Sequence, residues 1–140
     1  MSNLKVTSEK IIASGKRKTS VARAVLVAGS GKIIINKKNY ETLQMFDKLK
    51  IQEPLRIAEN VVGKINFDVA INVRGGGEKS QIDAARLALA KAIVSFTKSE
   101  ELKKAYGDYD KHLLVADVRR KEAYKPGDSK ARRKRQSSKR

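Results

Sequence analysis

Ile65-Asn66-Phe67-Asp68-Val69-Ala70-Ile71-Asn72-Val73-Arg74-Gly75-Gly76-Gly77 is the stretch on which the fold turns. Ile65, Phe67, Val69, Ile71 and Val73 alternate with Asn66, Asp68, Ala70, Asn72 and Arg74. That period of two predicts a β-strand with one buried face and one mostly wet face. The three glycines break it. From Gln81 to Lys98 the period lengthens: Ile82, Ala85, Leu89, Ala92, Ile93 and Phe96 line one side of a helix, with Ser80 as its expected N-cap. A strand, a glycine turn and a long helix therefore follow one another.

The flanking segments extend this frame. Val21 to Val27 is short-period and rich in valine and predicts a strand. Gly29-Ser30-Gly31 predicts a turn, and Lys32 to Asn36 a returning strand, so a hairpin is expected. Residues 40–62 suggest two short helices, the second opened by Pro54 in its first turn. A further helix is expected from Glu100 to Tyr106, stopped by Gly107, and a last strand at Leu113-Leu114-Val115-Ala116. The fold class that follows is α+β: a two-layer domain whose mainly antiparallel sheet is covered by helices on one face. Residues 1–10 are expected to be a flexible N-terminus, 11–117 the globular body, and 118–140 an extended basic C-terminal tail.

The charge is the second informative feature. The 140 residues hold 32 Lys plus Arg against 15 Asp plus Glu, a net +17. From Val118 onward there are 11 basic and 2 acidic residues, a net +9; the rest carries +8. A protein this positive calls for a polyanionic partner. The final run, Ser129 to Arg140, has seven cations and no large apolar residue. It cannot bury enough surface to fold alone.

Several chemistries are disfavoured. There is no cysteine, hence no disulfide framework and no thiolate site, and the lack fits a reducing compartment weakly. His112 is the only histidine, so no metal site is expected. No catalytic acid–base or nucleophile pairing is present, and no enzyme activity or cofactor is expected. No apolar run approaches a membrane span, the start lacks the apolar core of a secretory leader, and a cytoplasmic location is expected. Gly29-Ser30-Gly31-Lys32 is not a P-loop: Leu26 stands where that motif needs glycine, and Ile33 where it needs serine or threonine.

Two body segments point to phosphate. Gly15-Lys16-Arg17-Lys18-Thr19-Ser20 puts three cations side by side, with Arg23 continuing the patch; the segment is either a phosphate contact or a solvated strand end. Arg74-Gly75-Gly76-Gly77-Glu78-Lys79 enters a helix N-terminus, where free N–H groups favour anions. The glycine run is either a tight turn alone or a turn that also meets an RNA backbone. Its spacing does not match a dinucleotide fingerprint, and Glu78 and Asp83 would repel a free nucleotide.

Taken together, three segments resemble the family of the universal ninth protein of the small ribosomal subunit. They are Gly15 to Arg23, the Gly75-Gly76-Gly77 run followed by Gln81, Ala84, Ala85 and Arg86, and the tail from Ser129 to Arg140. The short N-terminus and Glu53-Pro54-Leu55 look like the archaeal and eukaryotic branch. The resemblance implies a β-α-β domain with a left-handed crossover, seated on ribosomal RNA in the subunit head beside neighbouring head proteins. It implies a tail that reaches the peptidyl-site transfer RNA, with no small-molecule substrate and no membrane. Carried over by position, Lys139 and Arg140 are the transfer-RNA candidates. The ribosomal-RNA candidates are Lys16, Arg17, Lys18, Arg23, Arg74, Gly75, Gly76, Gly77, Lys79, Arg119, Arg120, Lys130, Arg132, Arg133, Lys134 and Arg135. Two positions depart from the family pattern: Ser80 replaces a glycine before the central glutamine, and Ser137 and Ser138 stand where an aromatic residue is often found.

Overall fold

The structure, a computed structural model, describes residues 10–64, 66–124 and 126. Five strands form one sheet: β1 (Ile11–Arg17), β2 (Ser20–Ala28), β3 (Ile33–Ile35), β4 (Lys38–Asn39) and β5 (Phe67–Arg74). Their order is β1-β2-β5-β3-β4, antiparallel throughout except for the parallel β3–β5 pair. Three helices complete the domain: α1 (Met45–Val62), α2 (Glu78–Thr97) and α3 (Glu100–Tyr109). The α+β class and the mainly antiparallel sheet are as the sequence predicts.

The alternation in β5 decides the layers. Phe67, Val69, Ile71 and Val73 are buried, and so are Ala22, Ala24 and Leu26 of β2. Against them lies α2, where Ile82, Ala85, Leu89, Ala92 and Ile93 are buried, and so are Ala84, Leu87, Ala88 and Ala90. One apolar stripe would suit a surface helix. The wider burial arises because α2 packs on β1, β2 and β5 and also against α1.

Five local expectations are corrected. First, residues 11–17 form a strand, not a lead-in; β1 takes the free edge of β2. Second, residues 33–35 do not return along β2 as a hairpin. They cross to the far side of β5, with Ile33, Ile34 and Ile35 opposite Val69, Ala70 and Ile71. Asp68 holds this crossing: its Oδ1 accepts from the N–H groups of Ser30, Gly31 and Lys32 at 3.0, 3.0 and 2.9 Å. Those bonds, Lys32's first, hold its carboxyl below the usual carboxylate range. The glycine-rich turn is thus wrapped round a protein carboxylate.

Third, residues 40–62 hold a 3₁₀ turn at Tyr40–Thr42 and then one helix, with Pro54 inside it. The proline withdraws one N–H from the helix ladder. Pro54 is itself buried, and its carbonyl accepts from the hydroxyl of buried Tyr106 at 2.7 Å. Fourth, α2 begins at Glu78 with Gly77 as N-cap, so Ser80 lies inside the helix. α3 likewise runs through Gly107 to Tyr109, with Ser99 accepting from the Leu102 N–H at its start. Fifth, residues 113–116 are not a strand. A 3₁₀ turn at Lys111–Leu113 drops Leu113 into the core, fully buried. The predicted strand start at Ile65 lies outside the described residues, as do residues 1–9 of the N-terminus.

Two glycines test the packing with opposite signs. A Cβ on Gly15 would sit 2.3 Å from the Ala84 carbonyl oxygen and 2.7 Å from the Ala88 nitrogen, both backbone atoms of α2. Gly107 is exposed within α3, with nothing near such a Cβ. Gly15→Ala should cost about 1–3 kcal/mol by forcing β1 off α2. Gly107→Ala should gain about 0.5–1 kcal/mol through helix propensity. Urea unfolding of the two variants measures both; equal effects of one sign would contradict the β1–α2 packing.

Candidate nucleic-acid interface

The sheet leaves one face uncovered by α2. The register sets the residues on it. Lys16 lies opposite Val21, and Val21 opposite Arg74; in the next row Ser14 lies opposite Arg23, and Arg23 opposite Asn72. Successive same-face rows along a strand are about 7 Å apart and lateral neighbours about 5 Å. Lys16, Arg23 and Arg74 therefore form one exposed cationic corner, with Ser14 and Asn72 as polar fillers.

Beside that corner is the Lys18-Thr19 turn of the β1–β2 hairpin, where Lys18 holds a φ of 52° and projects from the body. The glycine run explains why this turn sits next to the entry of α2. Gly75 and Gly76 adopt φ of 79° and 67°. A Cβ on Gly75 would lie 2.6 Å from the Thr19 carbonyl, and one on Gly76 2.1 Å from Ser20 Oγ. Ser20 is fully buried and its hydroxyl donates to the Gly75 carbonyl at 2.8 Å; Gln81 Nε2 donates to the same oxygen at 3.2 Å. Internal packing accounts for Gly75 and Gly76, while Gly77 faces open space.

Arg17 has a different position from its two neighbours. Strand alternation turns it with Gly15 toward α2, and its guanidinium pairs with Asp117 and approaches Asp83 at 3.9 Å. Lys79 is likewise drawn to another side chain, donating to buried Asp47 at 3.4 Å.

Asp117 is the residue that sequence reasoning missed. It stands where the chain leaves the body, and it is buried. Arg119 grips its carboxylate, Nε donating at 3.1 and 3.0 Å and Nη2 at 2.7 Å, while the Arg119 N–H donates at 2.9 Å. Arg120 Nη1 donates to the Asp117 carbonyl at 3.1 Å. The side-chain bonds from Arg119, then its backbone N–H, hold the Asp117 carboxyl well below the usual carboxylate range, and Arg17 adds to this. An acid two residues before a basic run was the available signal.

This clamp brings distant segments together. Arg17, Lys18 and Thr19 face Arg119, Arg120 and Lys121 across an open cleft of about 660 Å³. A smaller recess of about 170 Å³, lined in part by Lys16, Arg86 and His112, adjoins it through Arg17 and Arg119. A cleft walled by cations from two segments fits a polyanion backbone, since arginine forks donate in pairs to phosphate oxygens. Among the described residues no group of histidine, cysteine or carboxylates is placed to hold a metal ion. No helix of the described residues is long and apolar enough to cross a membrane. Lys130, Arg132, Arg133, Lys134, Arg135, Lys139 and Arg140 lie outside the described residues.

Comparison with known proteins places the chain among relatives. The sequence model of one family, described as ribosomal protein S9/S16, matches residues 15–140. The small ribosomal subunit protein uS9 of Methanococcus vannielii is 50% identical over 116 residues, covering 82% of this chain and 85% of its own. That of Picrophilus torridus is 45% identical over 132 residues, covering 94% and 98%. That of Desulfurococcus amylolyticus is 42% identical over 129 residues, covering 91% of each.

The clamp yields a prediction with a defined sign. A carboxyl with a depressed pKa contributes stability above its unfolded value, near 3.8, and loses it only as pH falls through the lower folded value. The Asp117 carboxyl carbon, followed by NMR, should therefore titrate below 3.8. Asp117→Asn should speed tryptic cutting after Arg119 and Arg120 at neutral pH. A midpoint at or above the ordinary value, with unchanged cutting, would remove the clamp.

Proposed function

The chain belongs to the ribosomal protein S9/S16 family, a structural constituent of the small ribosomal subunit and not an enzyme, and on that premise we propose how it engages RNA. The body, residues 11–117, binds ribosomal RNA of the subunit head through the cationic sheet corner and the clamped cleft. The arm, residues 118–140, continues from that cleft and reaches the peptidyl-site transfer RNA with Lys139 and Arg140. Lys130, Arg132, Arg133, Lys134 and Arg135 hold ribosomal RNA along the way. The particle's compartment in this reading is the cytoplasm, with neighbouring head proteins around the body.

The observation that carries the proposal is the convergence at the cleft. Two sequence segments a hundred residues apart supply Arg17, Lys18, Arg119, Arg120 and Lys121 to one wall-to-wall cationic surface. Arg17 and Arg119 are partly neutralised by Asp117, which orients them and leaves Lys18, Arg120 and Lys121 as the outward charges. Twelve residues of extended chain from Ser129 span about 40 Å, enough to carry Arg140 far from the body. Counterion release as cations meet phosphates supplies the driving force for the arm's binding. With five to seven such contacts, the log–log dependence of affinity on salt has a slope of about −4 to −6.

Two measurements test the two halves separately. Lys16→Glu with Lys18→Glu, leaving Arg17 in its internal pairing, should sharply reduce entry into small subunits in sedimentation profiles. Wild-type entry would take the hairpin out of the interface. Deleting Lys139 and Arg140 should leave entry intact but weaken retention of transfer RNA at the peptidyl site in filter binding. Unchanged retention would falsify the tip's role.

A further inference from the structure

α1 carries two seams. Asp47, Ile51, Pro54 and Ala58 are buried, spaced four, three and four residues apart. Met45, Leu49, Gln52 and Arg56 repeat that spacing two residues earlier. A shift of two residues is about 200° round a helix, so this second seam lies on the opposite, outward side. Its upper half is apolar: Met45 is 72% exposed and Leu49 40%, with Phe46 beside them at 73%. Tyr109 of α3, also exposed, joins Leu49, Gln52, Glu53, Arg56 and Ile57 around a groove of about 330 Å³. Four large apolar side chains on one surface exceed the scattered exposure usual for a protein surface.

The charges choose the occupant. Glu53 is taken by Arg86, which also reaches Asp110. Lys50 is taken by Asp83, and Asp47 by Lys79. Arg56 is exposed and has no acidic partner among the described residues. Exposed apolar side chains of two helices beside a groove make a surface on which an amphipathic helix can lay its apolar face. We propose that the outward seam of α1, together with Tyr109, docks a helical segment of a neighbouring protein of the small subunit. That segment presents apolar anchors to Met45, Phe46 and Leu49 and a carboxylate to Arg56. A second copy of this chain is disfavoured because each carries a net +17. An RNA backbone would bring phosphate against four large apolar side chains, with Arg56 and Lys48 as the cations of α1 that have no acidic partner among the described residues. The inference rests on membership of the subunit and not on the RNA interface, which uses other elements.

The test uses whole small subunits assembled with a photo-reactive benzophenone amino acid at Leu49, and in a second preparation at Gln52. A control preparation carries it at Glu101 on α3. After irradiation, mass spectrometry should identify a peptide of one other subunit protein, apolar with an Asp or Glu near the cross-link. Arg56→Glu should lower that yield about tenfold, and reversing the partner's acid to Lys should restore it. Cross-links to RNA, cross-links to a second copy, or yields no higher than at Glu101 would overturn the proposal. Normal sedimentation of the labelled subunits keeps this outcome separate from any failure of the RNA interface.

Discussion

Gly15 is the position on which the rest depends. Its missing side chain lets β1 lie directly on the backbone of α2 at Ala84 and Ala88. With β1 held there, alternation fixes the next residues: Lys16 turns to the open sheet face, and Arg17 turns inward toward Asp83 and Asp117. Arg17 then receives the departing chain at Asp117, and Arg119 closes the same carboxylate from the other side. A close approach of strand to helix thus sets the place and direction in which the basic arm leaves the body.

The glycine run makes the second junction rigid. Gly75 and Gly76 pack on Thr19 and Ser20, so the entry of α2 and the β1–β2 turn are one unit and not two mobile loops. Lys18, Arg74 and the sheet corner are consequently held at fixed spacing by the body itself. Preorganised cations of this kind lose little conformational freedom on binding.

The parts governed by local periodicity were legible in the sequence. β5 declared itself by strict alternation, and α2 by its apolar face. What was hidden depended on partners far along the chain. β1 looked like a cationic approach because Gly15 is explained only by α2. Ile33 to Ile35 looked like a returning hairpin because nothing local says that Asp68 will gather the turn and send the strand across β5. Pro54 looked like a helix start because its carbonyl's partner, Tyr106, lies 52 residues later. In the candidate interface, the charge of Lys16, Lys18, Arg23 and Arg74 was evident from composition. The inward role of Arg17, and Asp117 as the joint between body and arm, required the packed structure.

The central claim is that the hairpin, the sheet corner and the root of the arm make one continuous surface for RNA. Chemical-shift mapping of the isotopically labelled protein during titration with a short RNA duplex tests it most directly. Amides of Lys16, Lys18, Thr19, Arg23, Arg74, Arg119, Arg120 and Lys121 should shift together with a single binding curve, while Met45, Leu49 and Tyr109 stay still. Shifts confined to the α1 seam, or separate curves for the hairpin and for residues 119–121, would contradict it.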